Sequence, residues 1–256
     1  MLSKVRSPNT ELRTIDFPLK SIDEIFSQWS LTDPDAKKIL FRGEGAGGIS
    51  SYVAGWMAGK GIDVVVLDGA NRFDPYRVSF FAKRGLISPE VLLKRIQIAR
   101  AFTCYQMVTL VGEKLASLLD AVSPKPWVIL LGLVTPFLDE DVPEREVRPL
   151  FEKVLKKMER MAAAGVPFFL FENLSSPPFA KRGSGGLVDS RRSYLARRLF
   201  QFSNLVLRIS MDEEEPKLIP EKIPGGEWEL RPFRHSRASR NPEKHWIPGQ
   251  ARNDET

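Results

Sequence analysis

The chain has 256 residues, of which 43% are hydrophobic, and 38 Lys and Arg residues exceed 32 Asp and Glu residues, giving a formal net charge of +6. This composition is sufficient for one large or two small globular domains, and the charge weakly favours anionic partners. Only one cysteine is present, which excludes an internal disulfide. Both histidines lie near the C-terminus, which excludes a Cys/His zinc site in the core.

The N-terminal residues lack an apolar segment of the kind found in secretion signals. The longest apolar run, residues 127–138, is interrupted by Gly132 and Pro136 and is too short to cross a bilayer. We therefore expect a reduced, cytoplasmic protein without a membrane partner.

Short apolar runs alternate with segments of helical periodicity. Strands are predicted at residues 38–41, 63–67, 127–133, 167–171 and 205–209, and helices at 49–59, 89–121, 144–164 and 190–202. Strands that alternate with helices predict an α/β fold, with a mostly parallel sheet and helices on both faces. The acidic run at 139–146 is interpreted as the solvated start of a helix rather than a metal site.

The predicted domain covers residues 16–231, after an N-terminal arm at 1–15. Its last element is a possible edge strand at 227–230. Residues 232–256 are polar, with few apolar residues to form a core, and predict a disordered tail. The tail patterns RHSR, NPE and WIPGQARNDE closely resemble peptides translated from dispersed repeats in bacterial genomes, so we assign the tail no function.

A glycine-rich segment, RGEGAGGISS, follows the first predicted strand. Its spacing is typical of a phosphate-binding loop, in which backbone amides surround the phosphates, a lysine neutralises them and a hydroxyl holds Mg²⁺. Ile49 stands at the lysine position, whereas the hydroxyl residue is present. The candidate nucleotide-binding residues are Gly43, Gly45, Gly47, Gly48, Ile49, Ser50 and Ser51.

The segment after the second predicted strand, LDGANRFDPYRVSFFAKRGL, continues into an ARAF element and a glutamine. It resembles the RecA/RadA recombinase family, in which the corresponding pattern is D-x-E-x-x-F-x-P-x-R. The residues that match are Asp68, Phe73, Pro75 and Arg77, and downstream Asn173 matches the asparagine of the family's T-N-Q element. The resemblance covers roughly residues 16–210 and implies a RecA-like P-loop fold.

Three positions depart from the family pattern. Ile49 replaces the lysine, Ala70 replaces the glutamate that activates water, and Gly132 replaces the aspartate linked to magnesium. Loss of a general base alone typically costs about 10² to 10⁴ in rate. These departures predict a pseudo-ATPase without catalytic residues, without a resident metal, and with at most weak binding of ATP and Mg²⁺ through the glycine amides.

Residues 175–208 are rich in arginine and lysine, and in the family the matching loop contacts single-stranded DNA. Cations that follow the backbone, together with an aromatic side chain, suit such binding. The DNA-binding candidates are Phe179, Lys181, Arg182, Arg191 and Arg192. Alternatively, the helical arginines form the solvated face of an amphipathic helix whose Leu195 and Leu199 pack inward.

The resemblance therefore implies a catalytically degenerate RecA/RadA-like accessory protein in DNA recombination or repair. Its expected partners are single-stranded DNA, a RecA-type ATPase or a second copy of the chain. Two alternatives stay open. In the first, the chain binds ATP and a partner completes the catalytic site. In the second, the domain is an interaction scaffold without a nucleic-acid role.

Overall fold

The computed structural model describes residues 38–174, 192–211 and 216–222. Its strands are β1 (Lys38–Arg42), β2 (Val64–Asp68), β3 (Ile96–Arg100), β4 (Trp127–Leu131), β5 (Phe168–Glu172), β6 (Leu205–Met211) and β7 (Pro216–Lys222). They form one sheet in the order β3-β2-β4-β5-β1-β6-β7, in which β7 runs antiparallel to β6 and every other pairing is parallel. The predicted mostly parallel α/β sheet is confirmed.

Helices cover both faces of this sheet. One face packs against α1 (Ala46–Gly59), α2 (Pro75–Arg84) and α3 (Pro89–Leu93). The other packs against α4 (Cys104–Thr109), a π-helical turn (Leu110–Leu115), α5 (Ala116–Ala121), α6 (Glu144–Ala163) and α7 (Ser193–Phe202). No helix in these described ranges combines the length and hydropathy that spanning a membrane requires.

Alternating strand side chains divide the core into two layers, as the two-residue period of a strand requires. Phe41 and Phe171 point toward the α1 face, where their rings stack with centroids 4.6 Å apart. Leu40 and Leu170 point toward the α6 face. Strands buried on both faces read as continuous apolar runs, which is why five of them could be located from the sequence.

The helix predicted over residues 89–121 is wrong in its middle part. Five of these residues form β3, which pairs along its whole length with β2. The chain returns to helix at Thr103, whose side chain and that of Gln106 form a reciprocal capping box. The strand suggested at 227–230 lies outside the described residues, and so do the arm at 1–15 and the tail at 232–256.

The carboxyl ends of the central strands meet at one edge of the sheet. Arg42 is in register with Glu172, and Asp68 is in register with Leu131. The turns after β1, β2, β4 and β5 therefore lie side by side. Open parallel sheets usually bind ligands outside this edge, and the motif residues lie there.

Candidate functional site

The glycine-rich segment forms a short turn rather than a wide loop. Gly43 and Gly45 have φ values of 125° and 83°, and α1 already begins at Ala46. The amide of Ile49 donates to the carbonyl oxygen of Gly45 at 3.0 Å, as in a first helical turn. A Cβ at Gly43 would lie 2.6 Å from the carbonyl oxygen of Ile209, so glycine is required there. Because α1 begins at Ala46, Gly47 and Gly48 belong to the helix rather than to a loop.

The side chains that would complete a phosphate site are engaged within the fold. Ile49 is only 6% exposed and belongs to the core on the α1 face. The buried Ser50 hydroxyl donates to the carbonyl oxygen of Gly47 at 2.7 Å, and the Ser51 hydroxyl accepts from the amide of Asp74 at 3.0 Å. In this arrangement Ile49 offers no cation to a phosphate, and both hydroxyl groups are already hydrogen-bonded within the fold.

Two arginines lie against the glycines of α1. A Cβ at Gly47 would be 3.2 Å from the Cβ of Arg72, and one at Gly48 would be 2.9 Å from Nη1 of Arg77. With its amide oxygen facing Arg72, Asn173 accepts from Nη1 of that arginine at 3.1 Å and donates to the carbonyl oxygen of Gly43 at 3.2 Å. Arg72 thus bridges the start of α1 and the turn after β5.

The turns after β2 and β4 pack directly against each other. Gly132 has a φ of 65°, and a Cβ there would stand 2.4 Å from the Cβ of Ala70. The amides of Gly69 and Ala70 both donate to the carbonyl oxygen of Leu131, at 2.8 and 3.2 Å. The two positions at which the family carries carboxylates therefore pack directly together, and an aspartate at position 132 has no room.

Asp68 stabilises the turn that follows β2. Its carboxylate accepts the amides of Arg72 and Phe73, at 3.2 and 2.9 Å. The guanidinium of Arg100 approaches the same carboxylate at 3.6 Å. The described residues contain no cluster of three or more His, Cys, Asp or Glu side chains able to hold a metal ion.

Glu172 is a buried acidic residue at this edge that the sequence reasoning missed. It is 3% exposed and accepts the amide of Val134 at 3.0 Å. Burial raises the pKa of this carboxyl to about 8. The sequence feature that could have identified Glu172 is its position directly after the apolar residues 168–171 of β5.

Arg192, a DNA-binding candidate, is a structural residue in this fold. It is 7% exposed, and its guanidinium donates to the carbonyl oxygens of Phe137 at 2.7 Å, Asp139 at 2.5 Å and Val142 at 2.8 Å. These hydrogen bonds of Arg192 therefore link the start of α7 to the segment after β4. The other candidates, Phe179, Lys181, Arg182 and Arg191, lie outside the described residues.

Three further cations are also engaged within the fold. Arg42 is 1% exposed and is paired with Glu221. Lys60 lies at the far end of α1, with its ammonium 3.9 Å from the ring centroid of Trp56. On α7, Arg198 forms a bidentate pair with Glu152. None of these three cations replaces the missing lysine at the glycine turn.

Comparison with protein-family models finds no match to this chain, and comparison with curated proteins finds none either.

Proposed function

We propose that this chain is a catalytically degenerate RecA/RadA-like protein that acts by binding, as an accessory in DNA recombination or repair, and does not hydrolyse ATP. The observation that carries the proposal is the closed contact between Gly132 and Ala70. Hydrolysis requires a base for water and a carboxylate for the metal, but Ala70 carries only a methyl group and position 132 has no room for a side chain.

The arrangement of the motif residues supports the family assignment. Phe73 is buried, Asp74 caps α2 and Pro75 occupies its first turn, where proline is favoured. Arg77 lies against Gly48, and Asn173 lies against Gly43. Residues that are far apart in sequence and that all match the pattern of one family therefore meet at one edge of the sheet.

The experiment is a nucleotide titration and turnover measurement on the full chain. We expect no hydrolysis of MgATP above background and no binding at micromolar concentration by calorimetry. Turnover that disappears in Ser50→Ala would overturn the proposal, because it would show that the Ser50 hydroxyl takes part in catalysis. Adding single-stranded DNA or an active RecA-type ATPase tests whether a partner completes the site, and stimulated hydrolysis that requires Ser50 would count against the proposal equally.

A second candidate function is nucleotide binding without hydrolysis, in which arginines replace the missing lysine. The observation that favours it is the contact of Arg72 and Arg77 with the glycines of α1. Guanidinium groups bind phosphate through paired hydrogen bonds. If MgATP does bind, loss of binding in Arg72→Gln and Arg77→Gln, with retention in Arg198→Gln, would support this candidate.

Single-stranded DNA is the partner that we propose for this chain. The formal net charge of +6 and the basic segment at 175–191 favour it. The test is fluorescence anisotropy of a labelled oligothymidine with the full chain over a range of salt concentrations. We expect binding that weakens as salt rises, whereas no binding at low salt would favour the scaffold alternative.

A further inference from the structure

Helix α2 exposes two aromatic rings on its outer side. Tyr76 is 84% exposed and Phe80 is 53% exposed, whereas Val78, Phe81 and Ala82 on the inner side are buried. Tyr76 and Phe80 are four residues apart, so they occupy one face of the helix, one turn from each other. The two rings together present a small aromatic surface on the outer side of the helix.

Cations accompany these rings. Lys83 and Arg84 follow Phe80 by three and four residues, and the guanidinium carbon of Arg84 lies 5.9 Å from the ring centroid of Phe80. We name Tyr76, Phe80, Lys83 and Arg84 the aromatic–basic stripe. It extends along α2 over roughly 12 Å at 1.5 Å per residue.

The charge balance along this element is strongly positive. Residues 72–84 contain four cations, Arg72, Arg77, Lys83 and Arg84, against the single acid Asp74. Asp74 is already used within the fold, because its carboxylate accepts the amide of Tyr76 at 2.9 Å and lies 3.5 Å from Arg77. The stripe therefore offers an anionic partner positive charge next to aromatic surface.

We propose that the aromatic–basic stripe of α2 binds a single strand of nucleic acid, with bases stacked on Tyr76 and Phe80 and phosphates paired with Lys83 and Arg84. Stacking platforms beside cations are the combination that single strands require, because every base has an aromatic face and every nucleotide has one charge. A duplex keeps its base faces covered by stacking. This inference rests on the nucleic-acid role proposed above and assigns that role to a surface on α2.

The test uses the full chain and a fluorescein-labelled oligothymidine of thirty nucleotides. Tyr76→Ala/Phe80→Ala should weaken binding by about tenfold or more while leaving the salt dependence unchanged. Lys83→Gln/Arg84→Gln should lower the slope of log K against log salt by about 1.4, at about 0.7 for each phosphate that is no longer neutralised. These side chains are exposed, so both variants should keep the thermal stability of the parent.

Matched controls change the same residue types elsewhere. Phe102→Ala/Tyr105→Ala removes two other exposed aromatic rings, and Lys153→Gln/Lys156→Gln lowers the net charge by the same amount on α6. The proposal requires both controls to bind like the parent. It is overturned if the control and stripe variants weaken binding equally, since the effect would then be general.

The remaining outcomes separate this inference from the nucleic-acid role. Oligothymidine binding that is unaffected by the stripe variants overturns the stripe and leaves the role intact, whereas no binding by the parent overturns both. If the stripe variants change the sedimentation mass of the full chain but not its affinity for oligothymidine, the stripe is a protein interface and the proposal is wrong.

Discussion

A Cβ placed on Gly132 would stand 2.4 Å from the Cβ of Ala70, closer than two carbon atoms of separate side chains ever approach. The two positions lie on different strand connections, so this contact joins the turns after β2 and β4. An aspartate at position 132 therefore does not fit between these turns as they stand. The backbone of these turns would have to separate first.

Gly132→Asp should destabilise the fold without producing hydrolysis. The aspartate would meet both the Ala70 contact and a φ of 65°, and we expect a loss of about 3 kcal/mol in the free energy of unfolding. Urea denaturation measures it. Gly61→Asp is the control, because Gly61 has a φ of 81° with no atom within 4 Å of its Cβ position, and it should lose only about 1 kcal/mol. Equal losses would show that the contact with Ala70 does not matter.

Ile49→Lys should lower stability by several kcal/mol and should not produce nucleotide binding. The side chain at this position enters the apolar core on the α1 face, where an unpaired ammonium is costly. Chemical denaturation and MgATP calorimetry check the two effects, and Ile49→Val should lose only about 1 kcal/mol. A stable lysine variant that binds MgATP would show that the glycine turn opens to form a phosphate loop.

Arg192→Ala should cost about 3 kcal/mol or more, because three backbone carbonyl oxygens would lose a charged donor in a buried place. Arg198→Ala is the comparison. That arginine pairs with Glu152 at a partly exposed position, where ion pairs contribute about 1 kcal/mol or less. If the two variants were equally stable by urea denaturation, the structural role of Arg192 would be refuted.

Glu172 should make stability fall as the pH rises. The pKa of its carboxyl is raised from 4.5 to about 8 by burial, so the folded chain holds this proton more tightly than the unfolded chain does. The contribution of the neutral carboxyl is complete below about pH 4.5 and is lost as the pH rises through about 8. Glu172→Gln should remove this part of the pH dependence, which unfolding free energies at about pH 6 and about pH 9 measure. Parallel profiles for both proteins would contradict the assignment.

The buried central strands were predictable because each is a continuous apolar run between polar turns. The edge strand β3 was missed because its polar and apolar residues lie inside a longer stretch with helical spacing. Only pairing with β2, whose residues lie about thirty positions earlier, establishes it as a strand. The periodicity of residues 96–100 alone carries no information about β2, the strand that pairs with them.

The site was predictable in composition but not in conformation. The motif spacing located the glycine turn and the three departures, yet it could not show that α1 begins at Ala46 or that Ser50 is buried. The burial of Arg192 could not be predicted for a related reason. Its acceptors at residues 137–142 are about fifty positions away, and a cation near a basic segment reads as exposed until its long-range hydrogen bonds are known.

The pairing of Arg42 with Glu221 has a consequence for how the far edge of the sheet opens. Glu221 belongs to β7, and it contacts Arg42 on β1 and Arg208 on β6. If β7 detached alone, it would leave the buried guanidinium of Arg42 without its carboxylate, and an unpaired buried charge is costly. Fraying of this last strand is therefore coupled to the integrity of the first, and the described C-terminal strand should exchange its amide hydrogens as part of the cooperative unit rather than as a loose end.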